Sequence, residues 1–162
     1  MSKLLAVGDK MPDVTLVGAG GTAVRLRDLV KAKGLVVYFY PKDDTPGCTA
    51  ESCSFRDQYE DFVQAGADVV GISSDPPDSH ARFASKYRLP FTLLSDGSGA
   101  ARNAFGVKAS LLGMMPGRVT FVFDGQGVVR YVFDSQLRAK AHVSNALEIV
   151  QQMIVGGAAR TA

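Results

Sequence analysis

Cys48 and Cys53 are the only cysteines in the chain, and both fall within Thr45-Pro46-Gly47-Cys48-Thr49-Ala50-Glu51-Ser52-Cys53. Secreted scaffolds join distant segments with several cystines. A single close pair in a chain able to build its own core suggests redox chemistry instead. Cys48 follows an apolar run, Leu35 to Tyr40, and opens a stretch with helical periodicity. The first turn of a helix offers unpaired backbone N–H groups and the positive end of the dipole. Both favour a thiolate, which a free thiol forms only to a few per cent at neutral pH.

Ionisation alone does not make a fast nucleophile, because nucleophilicity falls as the thiolate is stabilised. Attack on an O–O bond also needs donors for the charge that grows on the departing oxygen. It needs a positive charge and a pocket too small for bulk water. Thr45 can supply a hydroxyl, and the N–H groups of Gly47 and Cys48 can supply backbone donors. Pro41 can wall off one side without adding a donor of its own.

Pro41-x-x-x-Thr45-x-x-Cys48 resembles the active-site signature of the peroxiredoxins. With Cys53 it is similar to the peroxiredoxin Q, or bacterioferritin comigratory protein, subgroup. Val70-Gly-Ile-Ser-Ser-Asp75, Phe91-Thr-Leu-Leu-Ser-Asp96 and Arg118-Val-Thr-Phe-Val-Phe-Asp124 continue the likeness, to about Val155. The resemblance implies a thioredoxin-like fold and a peroxidase of the atypical two-cysteine type. Cys48 would be the peroxidatic residue and Cys53 the resolving one, closing an intramolecular disulfide. Thr45 would hydrogen-bond thiolate and peroxide, and Arg118 would stabilise the thiolate and the transition state. Thr45, Gly47, Cys48 and Arg118 would contact hydrogen peroxide or an alkyl hydroperoxide. No metal or organic cofactor is implied, and thioredoxin or a related dithiol protein would act as reductant.

The cysteine spacing has a geometric consequence. On a regular helix, positions i and i+5 are displaced by ~7.5 Å along the axis and rotated by ~140°, which sets their Cα atoms roughly 8.5 Å apart. A disulfide needs them within about 7 Å. The reduced and disulfide forms therefore cannot share one helix, and the first turns are expected to unwind on oxidation. Thr49, Ser52 and Ser54 are mediocre helix formers, which permits this.

Strands and helices alternate around these residues. Val14–Val17 and Ala23–Leu26 read as an N-terminal hairpin, and Leu35–Tyr40, Ala67–Ser73 and Phe91–Leu94 as buried strands. Helices are expected over Cys48–Ala65 with Gly66 at the C-terminal cap, from Asp75 to about Tyr87, over Gly99–Phe105 and over Ala141–Val155. Arg118–Phe123 and Gly127–Phe133 flank a turn and read as a second hairpin. The pattern gives an α/β fold with a central mixed sheet, one domain over residues 1–162, and a frayed tail over 156–162.

The chain has 162 residues, 46% hydrophobic and 21% charged, with a formal net charge of +2. No dense basic run points to nucleic acid or an anionic membrane. No apolar stretch approaches the ~18 residues that span a bilayer. The chain reads as cytoplasmic and, given an intramolecular resolving cysteine, as a monomer.

Plainer roles stand beside these. The cysteines could be buried structural residues, Thr45 a simple helix cap, and Arg118 a strand-edge surface charge. Glu51 could merely complement the helix dipole, although in the family pattern such a residue can orient the arginine. Tyr38, Phe39 and Tyr40 read as core, Asp43-Asp44 as a solvated loop, and Asp75-Pro-Pro-Asp78 as a turn and helix start. His80 and His142 lack metal-motif spacing. The apolar Leu111–Pro116 loop suits a substrate mouth or a contact surface. Two other functions remain open: a thiol-disulfide oxidoreductase or holdase, though Cys-x-x-Cys is absent, and a redox-sensing binding module.

Overall fold

A computed structural model describes residues 3–107, 117–135 and 138–155. The expectations for the Leu111–Pro116 loop and the 156–162 tail lie outside the described residues. The strands are β1 (Thr15–Val17), β2 (Ala23–Arg25), β3 (Gly34–Phe39), β4 (Ala67–Ser73), β5 (Thr92–Ser95), β6 (Val119–Phe123) and β7 (Val129–Asp134). The helices are α1 (Pro46–Gln64), α2 (Pro77–Tyr87), α3 (Ala100–Phe105) and α4 (Ala139–Val155). Two 3-10 turns, Ala19–Gly21 in the first hairpin and Leu26–Leu29 after it, were not expected. Such short turns carry no hydrophobic period from which to read them.

All seven strands share one mixed sheet, in the order β2-β1-β5-β4-β3-β6-β7. β3, β4 and β5 run parallel, and β6 lies antiparallel to β3. Every residue of β3 is buried, as expected of a strand covered on both faces. Alternate side chains serve two cores. Val36, Tyr38 and Tyr40 join Phe55 and Phe62 of α1, Phe83 of α2 and Val143 and Val150 of α4. Leu35, Val37 and Phe39 join Phe105 of α3, Met11 and Leu26 on the other face.

α1 has Pro46 in its first turn, and Ala65 ends it. Gly66 follows at φ +90, where a Cβ would also lie 2.4 Å from the Lys33 side chain. Glycine is therefore required there for conformation and for space. The aromatic stack of Tyr38 on Phe55, 4.4 Å between ring centroids, fastens the middle of α1 to the sheet.

Candidate active site

The site lies where β3 and β4 end and β6 begins. Thr45 caps α1 in an extended conformation, but its side chain makes no capping hydrogen bond. Its hydroxyl donates instead to the carbonyl oxygen of Lys42, at 2.9 Å. The plain capping role is thus not adopted, and the donor capacity expected to face the sulfur is turned into the loop. The hydroxyl oxygen keeps its capacity to accept. The first helical bond starts at Thr49 N–H, to Thr45 O, at 2.8 Å. Gly47 and Cys48 therefore stand in the turn whose N–H groups have no intrahelical acceptor.

Cys48 is fully buried and Cys53 half-buried, and both are free thiols. Arg118, only 4% exposed, reaches across from the start of β6. One terminal nitrogen (Nη2) lies 3.3 Å from Cys48 Sγ, and the other (Nη1) lies 2.6 Å from Glu51 Oε1. Arg118 is therefore no strand-edge surface charge. Gly47 matters here for a reason the sequence did not suggest. A Cβ at this position would sit 2.9 Å from Arg118 Nη2.

Glu51 is wholly buried on α1. Burial pushes its carboxyl up to about 8, against the opposing pull of Arg118. Arg118 is held above its ordinary value: burial works against the charge, and Glu51 and Cys48 outweigh it. Glu51 Oε2 has no hydrogen-bond partner among the described residues and lies 3.5 Å from His142 Nδ1. His142 is held down to about 4, first by burial. Its Nε2 meets the carbonyl oxygen of Ser135 and its Nδ1 meets Thr120 Oγ1, each at 2.7 Å. His142 is thus a neutral, hydrogen-bonded core residue behind the Glu51–Arg118 pair.

The loop after β3 departs from expectation. Asp44 is exposed and pairs with Lys86, but Asp43 is buried and is not a solvated loop residue. Asp43 accepts hydrogen bonds from Tyr40 (2.5 Å) and Ser79 (2.8 Å) and pairs with His80 Nδ1 (2.7 Å). Its N–H donates to Asp75 at 2.8 Å. Asp43, Asp75 and His80 thus lie close enough to suit a cation. Their hydrogen bonds to one another and to neighbours account for the cluster without one. It ties the loop bearing Pro41 and Thr45 to β4 and α2.

Pro41, Thr45, Pro46, Pro76 and Arg118 surround a cleft of about 590 Å³ with Cys48 on its wall. This corrects the expectation of a pocket too small for bulk water, since one water's share of liquid volume is ~30 Å³. The mouth is open, while the sulfur itself is covered.

The matched family model is the AhpC/TSA family, over residues 7–132. The chain belongs to the AhpC/TSA family. It is 49% identical over 146 residues to a chloroplastic peroxiredoxin Q of Populus jackii, covering 90% of this chain and 68% of that one. A chloroplastic peroxiredoxin Q of Oryza sativa subsp. japonica is 48% identical over 146 residues, covering 90% and 67%. Among solved structures, the peroxidoxin BcpB of Mycobacterium tuberculosis superposes with a TM-score of 0.85 at 39% identity, covering 92% of this chain and 98% of that one. A Xanthomonas campestris peroxiredoxin Q superposes at 0.80 with 32% identity, covering 94% and 98%. The fold is thioredoxin-like, and this peroxiredoxin is a thiol-dependent peroxidase, an oxidoreductase.

Sequence spacing gave no sign that Asp43 is buried or that His142 backs Glu51, because both contacts join distant segments. Two predictions follow from the geometry. Gly47→Ala is expected to displace the Arg118 guanidinium, which Glu51 prevents from retreating freely. Stopped-flow kinetics should record roughly a tenfold or greater fall in the rate of Cys48 with peroxide, with little change in thermal midpoint.

The second prediction concerns pH. The folded state holds the Glu51 proton to about pH 8, whereas the free carboxyl loses it near 4.5, so Glu51's contribution is full below 4.5 and is lost as pH rises to 8. His142 contributes above its ordinary 6.5 and loses that contribution as pH falls to about 4. The opposing slopes offset between about 4.5 and 6.5, and Glu51 alone acts from 6.5 to 8. Stability should decline across that upper window by at most ~1.4 kcal/mol per pH unit. Glu51→Gln should flatten the slope in melts run at each pH. An equal slope in both proteins would exclude Glu51 as its source.

Proposed function

We propose that Cys48 is the peroxidatic cysteine and Cys53 the resolving cysteine of an intramolecular cycle. The Cys48 thiolate attacks the distal oxygen of ROOH. The S–O bond forms, the O–O bond breaks, and RO⁻ leaves to take up a proton. Cys48 becomes a sulfenic acid. Cys53 sulfur then attacks Cys48 sulfur, the disulfide forms, and hydroxide departs with the Cys53 proton as water. A dithiol protein of the thioredoxin type restores both thiols and becomes a disulfide itself.

The observation that carries this reading is the 3.3 Å contact between Arg118 Nη2 and the buried Cys48 sulfur. In it a cation stands beside the nucleophile and near the oxygen that will leave. The open backbone donors of Gly47 and Cys48 add to that stabilisation. Pro41, Pro46 and Pro76 give the cleft an apolar mouth, which supports organic hydroperoxides beside hydrogen peroxide as substrates. A related Xanthomonas campestris bacterioferritin comigratory protein is described as having alkyl peroxide reduction activity.

Thr45 orients the peroxide in this reading through its hydroxyl oxygen, and Pro41 shields the sulfur. No metal or organic cofactor enters the cycle. The reading takes the chain as a single domain, a monomer that works in the cytoplasm. One sheet containing every named strand supports the first point. No helix among the described residues is long and apolar enough to cross a membrane. The plant relatives are chloroplastic proteins, so fractionation of the native host is the direct check on location.

Cys48→Ser is expected to abolish peroxide consumption with thioredoxin and its reductase. Cys53→Ser should still form one sulfenic acid per molecule, detectable by dimedone labelling, but should turn over poorly. Full turnover by Cys48→Ser would refute the assignment. Closing the disulfide must also undo the turn that carries Glu51. Amide exchange across residues 48–54 should therefore speed up in the disulfide form while residues 55–64 stay protected. Equal protection of 48–54 in both redox states would count against the unwinding.

A further inference from the structure

The β3–β6 ladder ends at the pair Phe39–Val119. Its register would next set Tyr40 against Arg118. There the ladder cannot run on, because Pro41 has no N–H to donate. Beyond Pro41 the chain also leaves the sheet toward Thr45 and α1. Pairing between β3 and β6 thus stops at this point, and the backbone bonds that remain lie on the outer sides, from Tyr40 N–H to Ile72 O at 3.0 Å and from Ser135 N–H to Arg118 O at 3.2 Å.

A side chain from the opposite face of the sheet takes over. Arg102 of α3 donates one terminal nitrogen (Nη2) to the carbonyl oxygen of Tyr40 at 2.9 Å and the other (Nη1) to that of Gly117 at 3.2 Å. These carbonyls belong to the peptide groups that enter Pro41 and Arg118. The guanidinium also lies over the Phe39 ring, 5.6 Å from its centroid. Its third nitrogen, Nε, is buried without a partner among the described residues. The helix that carries it is itself anchored at its first turn. Asp96 accepts from the N–H groups of Ala101 and Arg102, each at 2.9 Å.

We infer that Arg102 is a positioning residue for the peroxidase reaction: its guanidinium acts as one more rung between β3 and β6, fixing Pro41 and Arg118 against Cys48. The inference rests on the reading of Cys48 as the peroxidatic residue. The fork geometry is what the role requires. A planar guanidinium can span two carbonyls at once, whereas an ammonium is a compact point charge that does not impose that spacing. Arg102 touches neither sulfur nor substrate. It acts by holding the peptide planes from which the wall and the cation of the site project. Its charge also interacts favourably with Cys48, so a test must separate placement from charge.

The test uses the full chain with Cys53→Ser, so that Cys48 is the only thiol and reacts once. Two second-order rates are measured, with an organic hydroperoxide and with iodoacetamide. Alkylation reports thiolate content and access, while the peroxide rate also requires the leaving oxygen to be stabilised. Arg102→Met should lower the peroxide rate by roughly tenfold to a hundredfold and the alkylation rate much less, with an unchanged reacting fraction. Arg102→Lys, which keeps the charge, should recover only part of the loss.

A parallel fall in both rates, fully recovered by lysine, would assign Arg102 a charge effect and overturn the positioning role. A peroxide rate within about twofold of the parent would overturn it too. If the methionine variant does not fold, Arg102→Lys decides: a reduced ratio of peroxide to alkylation rate supports the inference, and an unchanged ratio sinks it. A parent protein inert to peroxide would instead refute the peroxidatic role of Cys48, a separate outcome.

Discussion

A single buried guanidinium, shared between a sulfur and a carboxylate, is the constraint around which this molecule is arranged. Arg118 points one nitrogen at Cys48 and the other at Glu51. A cation taken out of water is costly unless it is paired. A cation wholly neutralised by its partner would do little for a thiolate. The fork of arginine resolves the conflict, because its two ends can serve different acceptors at once. Glu51 gives one end of the fork a hydrogen-bond acceptor, and burial pushes its own carboxyl up to about 8. The partner is therefore a reluctant anion, which leaves the field of Arg118 available to the sulfur.

The same arrangement divides α1 into two parts held by different forces. Its first turns bury Cys48, Glu51 and Ser52, and polar contacts restrain them. Arg118 meets Glu51, and the hydroxyls of Tyr38 and Ser52 lie 2.8 Å apart. From Phe55 onward the helix is fixed by aromatic packing, with Phe55 against Tyr38 and Phe62. A hydrogen bond between neutral groups contributes a net ~0.5–1.5 kcal/mol and one to a charged group ~1.5–3 kcal/mol, and each buried phenylalanine contributes about 1.5–3 kcal/mol. The boundary lies between Cys53 and Phe55. Closing a disulfide between the two sulfurs would sacrifice the polar contacts of the first turns and leave the aromatic packing in place.

Much of this was legible in the sequence, and the reasons it was not all legible are physical. Hydrophobic patterning placed every strand to within a residue or two, because burial on both sheet faces leaves β3 and β6 almost wholly apolar, with only the hydroxyls of Tyr38 and Thr120 as polar side-chain groups. The cysteine at a helix start was visible because Pro46 and Gly47 punctuate the chain there. Arg118 could not be found from spacing, since its contact with Cys48 spans 70 positions; only the family resemblance pointed to it. Asp43 and Asp44 look alike in the sequence, yet one is buried against Tyr40, Ser79 and His80 and the other pairs at the surface with Lys86. That difference depends on where α2 packs, which no local pattern encodes.

Topology accounts for the meeting of residues so far apart in the chain. In open α/β sheets, ligands bind in the crevice beyond the carboxyl ends of the parallel strands. β3 delivers Pro41 and the start of α1 to that edge, and β4 delivers Asp75 and Pro76. A further parallel strand would bring its last residue there. Because β6 runs antiparallel to β3, it brings its first, and the register of Phe39 with Val119 leaves the preceding Arg118 beside the end of β3. Shifting that register by one residue would also turn the β6 side chains to the opposite face of the sheet. Phe121 and Phe123 would then leave the apolar core they share with Phe39 and Phe105. The packing of one face thus fixes the cation on the other, and the position of Arg118 follows from core residues that never touch the sulfur.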